Sequence, residues 1–426
     1  GDYQAFEAMC ERYGIINCPS LDDLVETALA FQSPVRPKGP RIGFVTTSGG
    51  TVDLLYDYVE YESAELAQFT QATNEAIIPF MQDEIRPKNP LDVGIPSSLK
   101  AAADLCEIVG KDPNVDILAW ASQLPMKASA WPDVDCLNQM AKAIGKPVIA
   151  FGRMSYRMSA ESLDLQDRAG FPFLQQLQPS LRAMNALWFH AQRQGKLPAR
   201  PEAETPSTLT PQTLEAELQA FGIHGPQSAL CLDADAAAAY ADQIGYPVVL
   251  KIQSPDILHK TEAGGVKLDL RSADAVRKAA EDLRSSAKAH NANARISGFL
   301  VQEMVSGIEV IIGARDDALY GPMLLIGSGG VLVELLNDAA LVMLPIDQAT
   351  LSKRMDGLKL NQLLSGYRGR PPADRAALEK LALQLAAFYL KHRSRISDIE
   401  INPLMVRDQG RGAVAVDVRV IWRDPA

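Results

Sequence analysis

Cysteine is scarce in this chain. Five occur among 426 residues, Cys10, Cys18, Cys106, Cys136 and Cys231, and none forms a C-x-x-C pair. That excludes a disulfide scaffold and fits reduced thiols in a cytoplasmic protein. No apolar run reaches the roughly 18 residues that a membrane helix requires, and no signal peptide pattern is present, so no membrane partner is expected. A cationic excess is also missing. Lys plus Arg number 42 against 52 for Asp plus Glu, a net charge of −10. A surface that tracks nucleic-acid phosphates needs the opposite balance, so nucleic acid is excluded as a general partner. A small phosphate ligand stays open, because it needs only a local pocket of N–H groups and one or two cations. With 47% apolar and 22% charged residues, the composition is that of a globular protein, neither disordered nor collagen-like. At roughly 100–200 residues per domain, two to four domains are expected.

Residues Gly195–Gln212 read GKLPARPEAETPSTLTPQ. Pro and small polar residues dominate, and hydrophobic periodicity is absent, which marks a linker. The expected boundaries are a domain over 1–195, a linker over 196–210 and a domain over 211–426. Before the linker, β-rich runs at Arg41–Thr47, Asp116–Ser122, Lys146–Phe151 and Phe171–Leu174 alternate with helical stretches from Thr51 onward, Asp135–Ala143 and Pro179–Arg193. Strands separated by helices imply a parallel sheet covered on both faces, so the fold class is α/β, here a flavodoxin-like doubly wound domain. About the first 30 residues read as a helical lead-in that belongs to something upstream.

After the linker, helices are expected at Pro211–Ala220, Asp233–Ile244, Ala273–Ala287 and Asp374–Leu390. They are interspersed with β-rich runs at Pro247–Gln253, Gly265–Leu270, Gly298–Met304, Gly307–Ala314, Tyr320–Gly327, Val331–Leu335, Asp398–Val406 and Ala413–Ile421. This is an α+β pattern on mostly antiparallel strands.

Three segments of the second half carry chemistry. In YPVVLKIQSPDILHKTEAGGVKLDL, residues 246–270, Lys251 lies inside an apolar strand. A buried lysine is costly without a partner and so points to an anion. Gly264 and Gly265 come thirteen residues on, and paired glycines let backbone N–H groups approach a phosphate. Alone, the segment fits a strand-edge lysine and a plain turn equally. In VQEMVSGIEVIIG, residues 301–313, Glu303 and Glu309 put charge into β-rich sequence. One of them could hold ribose hydroxyls, while the Glu303–Met304–Val305 backbone meets an adenine edge. Alone, the two fit solvated glutamates of an edge strand. In DIEINPL, from Asp398, and VAVDVRV, Asn402 and Asp417 lie on candidate paired strands. A hairpin would unite these oxygen ligands, the type that Mg²⁺ takes. Alone, they fit an Asn-Pro turn and a partnered aspartate.

Taken together these pieces resemble the ATP-grasp fold. More narrowly, the second half, from about Thr208 on, resembles the nucleotide-binding half of the NDP-forming acyl-CoA synthetase superfamily, relatives of succinyl-CoA synthetase. The matching segments include SPDILHKTEAGGVKL, the QEM hinge, GIEVIIGARDD, GPMLLIGSGGVLVELLNDAALVMLPID and DIEINPLMV. In the first half, RIGFVTTSGG, KNPLDVG and GFPFLQQLQPSLRAMNAL resemble that superfamily's second flavodoxin-like ligase domain. There Gly49-Gly50 is either a phosphate- or CoA-facing turn or a simple βα turn, and Thr51 replaces a small apolar residue usual in the family.

The resemblance implies an ADP-forming acid–CoA ligase that uses ATP, Mg²⁺ and CoA. It implies that Lys251, Gly264, Gly265, Glu303, Met304, Val305 and Glu309 bind the nucleotide, that Asn402 and Asp417 hold the metal, and that His259 relays phosphate on a mobile loop. Of the five histidines, only His259 falls inside a phosphate-site motif. The family's CoA-binding and first ligase domains, with a second phosphohistidine loop, have no counterpart in this sequence. The start GDYQAFEAMCERYG resembles the stretch just after that loop in the family. The resemblance thus implies a longer polypeptide cut there or a separate subunit, a small carboxylic acid substrate, and an oligomer. Two other classes compete: a non-catalytic ligand-sensing module of an acetyltransferase-type regulator, and an ATP-grasp carboxylate–amine ligase.

Overall fold

The computed structural model describes residues 2–81, 86–131, 134–193, 198, 205–257, 263–330 and 338–423. They form two compact units, Cys10–Pro198 and Gly1–Met9 with Ala199–Ala426. The expected strand at Val331–Leu335 lies outside the described residues. Among the described residues, no helix is long and apolar enough to cross a membrane.

The unit Cys10–Pro198 is built on a parallel sheet. Its strands are β1 (Arg41–Thr46), β2 (Glu65–Leu66), β3 (Leu91–Asp92), β4 (Ile117–Ala121), β5 (Val148–Gly152) and β6 (Phe173–Gln175), in the order β2-β1-β4-β5-β6, with β3 also on β1. With the two-residue β3 set aside, this is the flavodoxin-like order, whose direction of winding reverses between β1 and β4. Side chains alternate between two cores, as a sheet covered on both faces requires. Ile117 and Ala119 face Leu177, Leu181 and Met184 of helix Leu177–Ala191. Leu118 and Trp120 face Leu105 of helix Leu99–Lys111 and Leu137 of helix Asp135–Ile144. The KNPLDVG segment has a structural role here. Asn89 Nδ2 donates to the Ile42 and Ala67 carbonyls at 2.7 and 2.9 Å, and its Oδ1 accepts from Phe44 N at 2.9 Å, closing β1 where β2 ends. Helix Leu21–Ala30, within the expected lead-in, packs on this unit: Ala30 is fully buried in this core, and Asp23 pairs with Arg182 of helix Leu177–Ala191.

The other unit has two antiparallel sheets. The smaller runs β7 (Ser228–Cys231), β10 (Gly298–Glu303), β8 (Val248–Gln253), β9 (Val266–Leu270). Helices Ala234–Ile244 and Ala273–His290 cover one face, against Val248, Leu250, Ile252, Phe299 and Val301. Gly245 ends the first helix at φ +87, where glycine avoids the Cβ penalty.

The larger sheet runs β13 (Ala339–Met343), β12 (Gly321–Ser328), β11 (Ile308–Asp317), β14 (Ile396–Val406), β15 (Ala413–Ala415), with β16 (Val418–Trp422) also on β14. Helix Arg375–His392 covers one face, over Val310, Ile312, Ile399 and Ile401. Ala5 and Ala8 of helix Tyr3–Tyr13 pack against Met323, Leu341 and Met343. Residues 1–9 therefore group with this unit, whereas the composition-based boundary placed them before the linker. The last described part of that linker is anchored here as well. Ser207 Oγ meets His392 Nδ1 at 2.7 Å, and Glu217 holds the other ring nitrogen at 3.2 Å.

The expected single run Ala413–Ile421 is two strands. Opposite it, the β11–β14 register shifts between Val310 and Ile312, a bulge around Asn402-Pro403. β15 pairs with β14 beyond the bulge and β16 before it, so the chain must break at Val416-Asp417. Bulges of this kind re-aim a side chain.

Candidate functional site

Strand alternation separates Lys251 from its neighbours. Val248, Leu250 and Ile252 point to the helices, so Lys251 occupies the face the helices leave free and is half-buried there. Its partners are Leu300 on β10 and Val266 on β9. The β8–β9 pairing brings the glycines alongside, with Ile252 N donating to the Gly265 carbonyl at 2.9 Å. Gly264 has φ +65, a conformation that costs an L-residue about 1–2 kcal/mol.

The segment between β8 and β9 leaves from Ile257 and returns at Ala263, both buried in the core of the smaller sheet. Asp256, just before it, accepts from Arg295 N at 2.8 Å and from its Nη2 at 2.9 Å. The Arg295 guanidinium pulls the Asp256 carboxyl down to about 2. His259 itself lies outside the described residues.

Gln302 was not anticipated. It pairs with Val249 and Ser228 on the helix-free face. It is 8% exposed, and its Oε1 has no hydrogen-bond partner among the described residues. A buried amide oxygen without a donor costs about 1–3 kcal/mol and suits a ligand donor. The signal for it was a second polar residue in an apolar strand, beside the more conspicuous Glu303.

Glu303 is otherwise engaged. Its carboxylate pairs with Arg407 at 2.9 Å and accepts from Gln227 N at 3.4 Å. Its own N–H donates to the Gln227 carbonyl at 2.8 Å, and Met304 N donates to the Pro247 carbonyl at 3.3 Å. Met304 to Gly307 are the only residues between β10 and β11. They form the hinge between the two sheets.

On the larger sheet, Glu309 and Asn402 share the face opposite the Ile312 and Ile401 core. Gly329 N donates to the Glu309 carbonyl at 2.9 Å. Gly330 comes next at φ +64 and lies so close to the Glu309 carboxylate that a Cβ would collide with it. Its N–H donates to Asn402 Oδ1 at 3.1 Å, and Asn402 N donates to the Asp417 carbonyl at 3.0 Å. The bulge, the strand break and the glycine turn thus bring the Glu309 and Asn402 side chains to one turn and the Asp417 backbone beside Asn402. On the same strand, burial pushes the Asp398 carboxyl above its ordinary value, against Arg419 and Arg315. Asn402 and Asp417 offer oxygen ligands only. Among the described residues, no trio of His, Cys, Asp or Glu could hold a metal. Such a sparse oxygen set fits Mg²⁺, which keeps waters and takes further ligands from phosphates, and does not fit zinc.

In the other unit, Ser48-Gly49-Gly50 ends β1 at the sheet edge where winding reverses, and helix Gly49–Tyr61 starts there. Arg153, also unanticipated, donates to Ser48 Oγ at 3.1 Å and Thr51 Oγ1 at 3.4 Å. Thr51 is fully buried. A helix N-terminus with an arginine beside it can receive an anion.

Residues 201–421 match a family profile described as an ATP-grasp domain. Acetate–CoA ligase [ADP-forming] I of Archaeoglobus fulgidus is 29% identical over 443 residues, covering 99% of this chain and 62% of that protein. The beta subunit of acetate–CoA ligase [ADP-forming] II of Pyrococcus furiosus is 36% identical over 207 residues, covering 48% of this chain and 88% of the subunit. Among solved structures, PH1788 of Pyrococcus horikoshii is 33% identical, with a TM-score of 0.47, covering 51% of this chain and 92% of its own. The chain spans 62% of the length of its full-length archaeal relative.

Proposed function

Because this chain belongs to the ATP-grasp family and, within it, to the ADP-forming acyl-CoA synthetases, we propose that it is the nucleotide-using part of an acid–CoA ligase. The reaction is acid, CoA and ATP giving acyl-CoA, ADP and phosphate. The observation that carries this reading is the division of labour across the hinge. Lys251, Gln302 and the Gly264-Gly265 turn lie on one sheet, and Glu309, Asn402 and Asp417 on the other.

In this reading Lys251 and the glycine turn neutralise and cradle the phosphates. The Glu303–Met304–Val305 backbone meets the adenine edge, which leaves the Glu303 carboxylate to Arg407. Glu309 takes the ribose side. Asn402 and Asp417 would hold Mg²⁺, which when bound would supply positive charge to offset that of the nucleotide phosphates. Phosphoryl transfer depends chiefly on positioning and charge neutralisation. His259 accepts the γ-phosphoryl group on an imidazole nitrogen as the bond to ADP breaks. It then passes the group to a carboxylate, making an acyl phosphate that CoA thiol attacks. CoA is held mainly by the CoA-binding and first ligase domains, on the same polypeptide or a separate subunit, in a cytoplasmic oligomer. A ligand-sensing module would need neither the metal pair nor the relay histidine.

Calorimetric titration of the chain with Mg-ADP tests the site. Lys251→Met should weaken binding by about 10- to 150-fold, the equivalent of one charge-assisted contact. Asp417→Asn should cut the Mg²⁺-dependent part of the affinity about tenfold or more. Unchanged affinity in both variants would remove the nucleotide from this cleft.

A further inference from the structure

The hinge, whose Glu303–Val305 backbone the ligase reading gives to adenine, also borders a cleft whose other walls that reading leaves unused. Its volume is about 490 Å³, and it is lined by the hinge from Glu303 to Ile308 and by Arg370, Arg407 and Arg411. Ile308 and Val406 also line it. Val406 belongs to the apolar core under helix Arg375–His392, and Ile308 packs against that core. Glu309, Asn402, Asp417, Lys251 and Gln302 are not among its lining residues. Ile308 and Glu309 are neighbours on one strand and so face opposite sides of it. The cleft therefore opens on the helix-covered side of the sheet, behind the proposed nucleotide group, a distinction that rests on the nucleotide placement given under the proposed function.

The cleft is cationic. Three arginines meet two carboxylates, Glu303 and Asp408, in a chain of net charge −10. Arg407 is already paired with Glu303. Among the described residues, the exposed guanidiniums of Arg370 and Arg411 have no carboxylate partner. Two unpaired guanidinium forks suit a phosphate, which has three acceptor oxygens to share between them. A monocarboxylate would satisfy one fork. Val305, Ile308 and Pro371 add an apolar wall, and the volume is that of a small-ligand pocket.

We infer that this cleft is a second binding site, for a small phosphate monoester with an apolar body. The phosphate sits between Arg370 and Arg411, and the body rests on Val305 and Pro371. An occupant touches the four residues that join the sheets, so its binding is linked to nucleotide binding on the other side.

The test is calorimetric titration of the full chain with phenyl phosphate in saturating Mg-ADP, with inorganic phosphate in parallel. One saturable phenyl phosphate site is expected, and inorganic phosphate should bind at least about fivefold more weakly for want of the apolar contact. The double variant Arg370→Gln/Arg411→Gln should weaken phenyl phosphate at least about tenfold and leave Mg-ADP affinity unchanged. Displacement of phenyl phosphate by Mg-ADP would merge the cleft with the nucleotide site and overturn the inference. So would equal binding by the double variant, equal binding of inorganic phosphate, or no saturable binding. If the wild-type chain does not bind Mg-ADP, the nucleotide reading fails separately, and the phenyl phosphate titrations are then read without it.

Discussion

Replacing His259 with alanine should abolish acid-dependent acyl-CoA formation, a loss of ~10³-fold or more of the kind seen when a covalent participant is removed. Mg-ADP affinity should change by less than about twofold, because Lys251, the glycine turn and the hinge all remain. The expectation rests on chemistry and on where the segment is tied. Ile257 and Ala263 hold its two ends in the core of the smaller sheet. Lys251, paired with Val266 just past the glycine turn, stands beside its return. In the proposed relay the His259 imidazole takes the phosphoryl group from the nucleotide. That relay, as proposed, delivers the group to a second site and so requires two arrangements of the protein. The measurement uses γ-labelled ATP with the enzyme assembled from this chain and the CoA-binding and first ligase domains. The wild-type chain should retain an acid-labile, base-stable label, and the variant none. Ordinary turnover by the variant would end the relay.

Asp338→Ala should give the largest loss of stability. Asp338 is 8% exposed. One carboxylate oxygen accepts from Ser328 Oγ and Leu360 N, both at 2.7 Å, and the other from Lys359 N at 2.8 Å. Alanine would strand a hydroxyl and two N–H groups at the start of helix Lys359–Leu364. Leaving them unsatisfied costs about 3 kcal/mol, or roughly 6–12 °C in the thermal transition of a unit of this size. The same change frees Ser328, which precedes the Gly329-Gly330 turn that contacts Glu309 and Asn402. Mg-ADP affinity should therefore fall along with stability. Asp338→Asn, which keeps an acceptor for at least one N–H, should recover part of both. A variant that melts like the wild type would show that water replaces the carboxylate.

Much of the architecture is legible from periodicity. The runs at Arg41, Asp116 and Lys146 are β1, β4 and β5, because a strand buried on both faces is apolar throughout and ends at turn residues. Two-residue strands such as β3 carry no such pattern. The apolar run of β13 (Ala339–Met343) begins only a few residues after another apolar run, so periodicity does not separate it as a strand of its own. Helix Tyr3–Tyr13 is legible as a helix, but not as a cover for Met323 and Met343, since amphipathicity does not say which apolar surface a helix will meet.

The sequence alone determined the inventory of the candidate site: a lysine in an apolar strand, a pair of glycines, two glutamates around a short hinge, and an asparagine and an aspartate on late strands. Residue type decides what a group can bind, and that information is local. Tertiary structure alone decided which of these groups stay available. It tied the Glu303 carboxylate to Arg407 and left the buried Gln302 oxygen without a partner among the described residues. It joined Asn402 to Asp417 through a bulge and a broken strand. Each outcome depends on which residue lies across a strand pair or behind a hinge. Pairing register sets that over separations of up to about a hundred residues, a distance at which neighbouring sequence carries no signal.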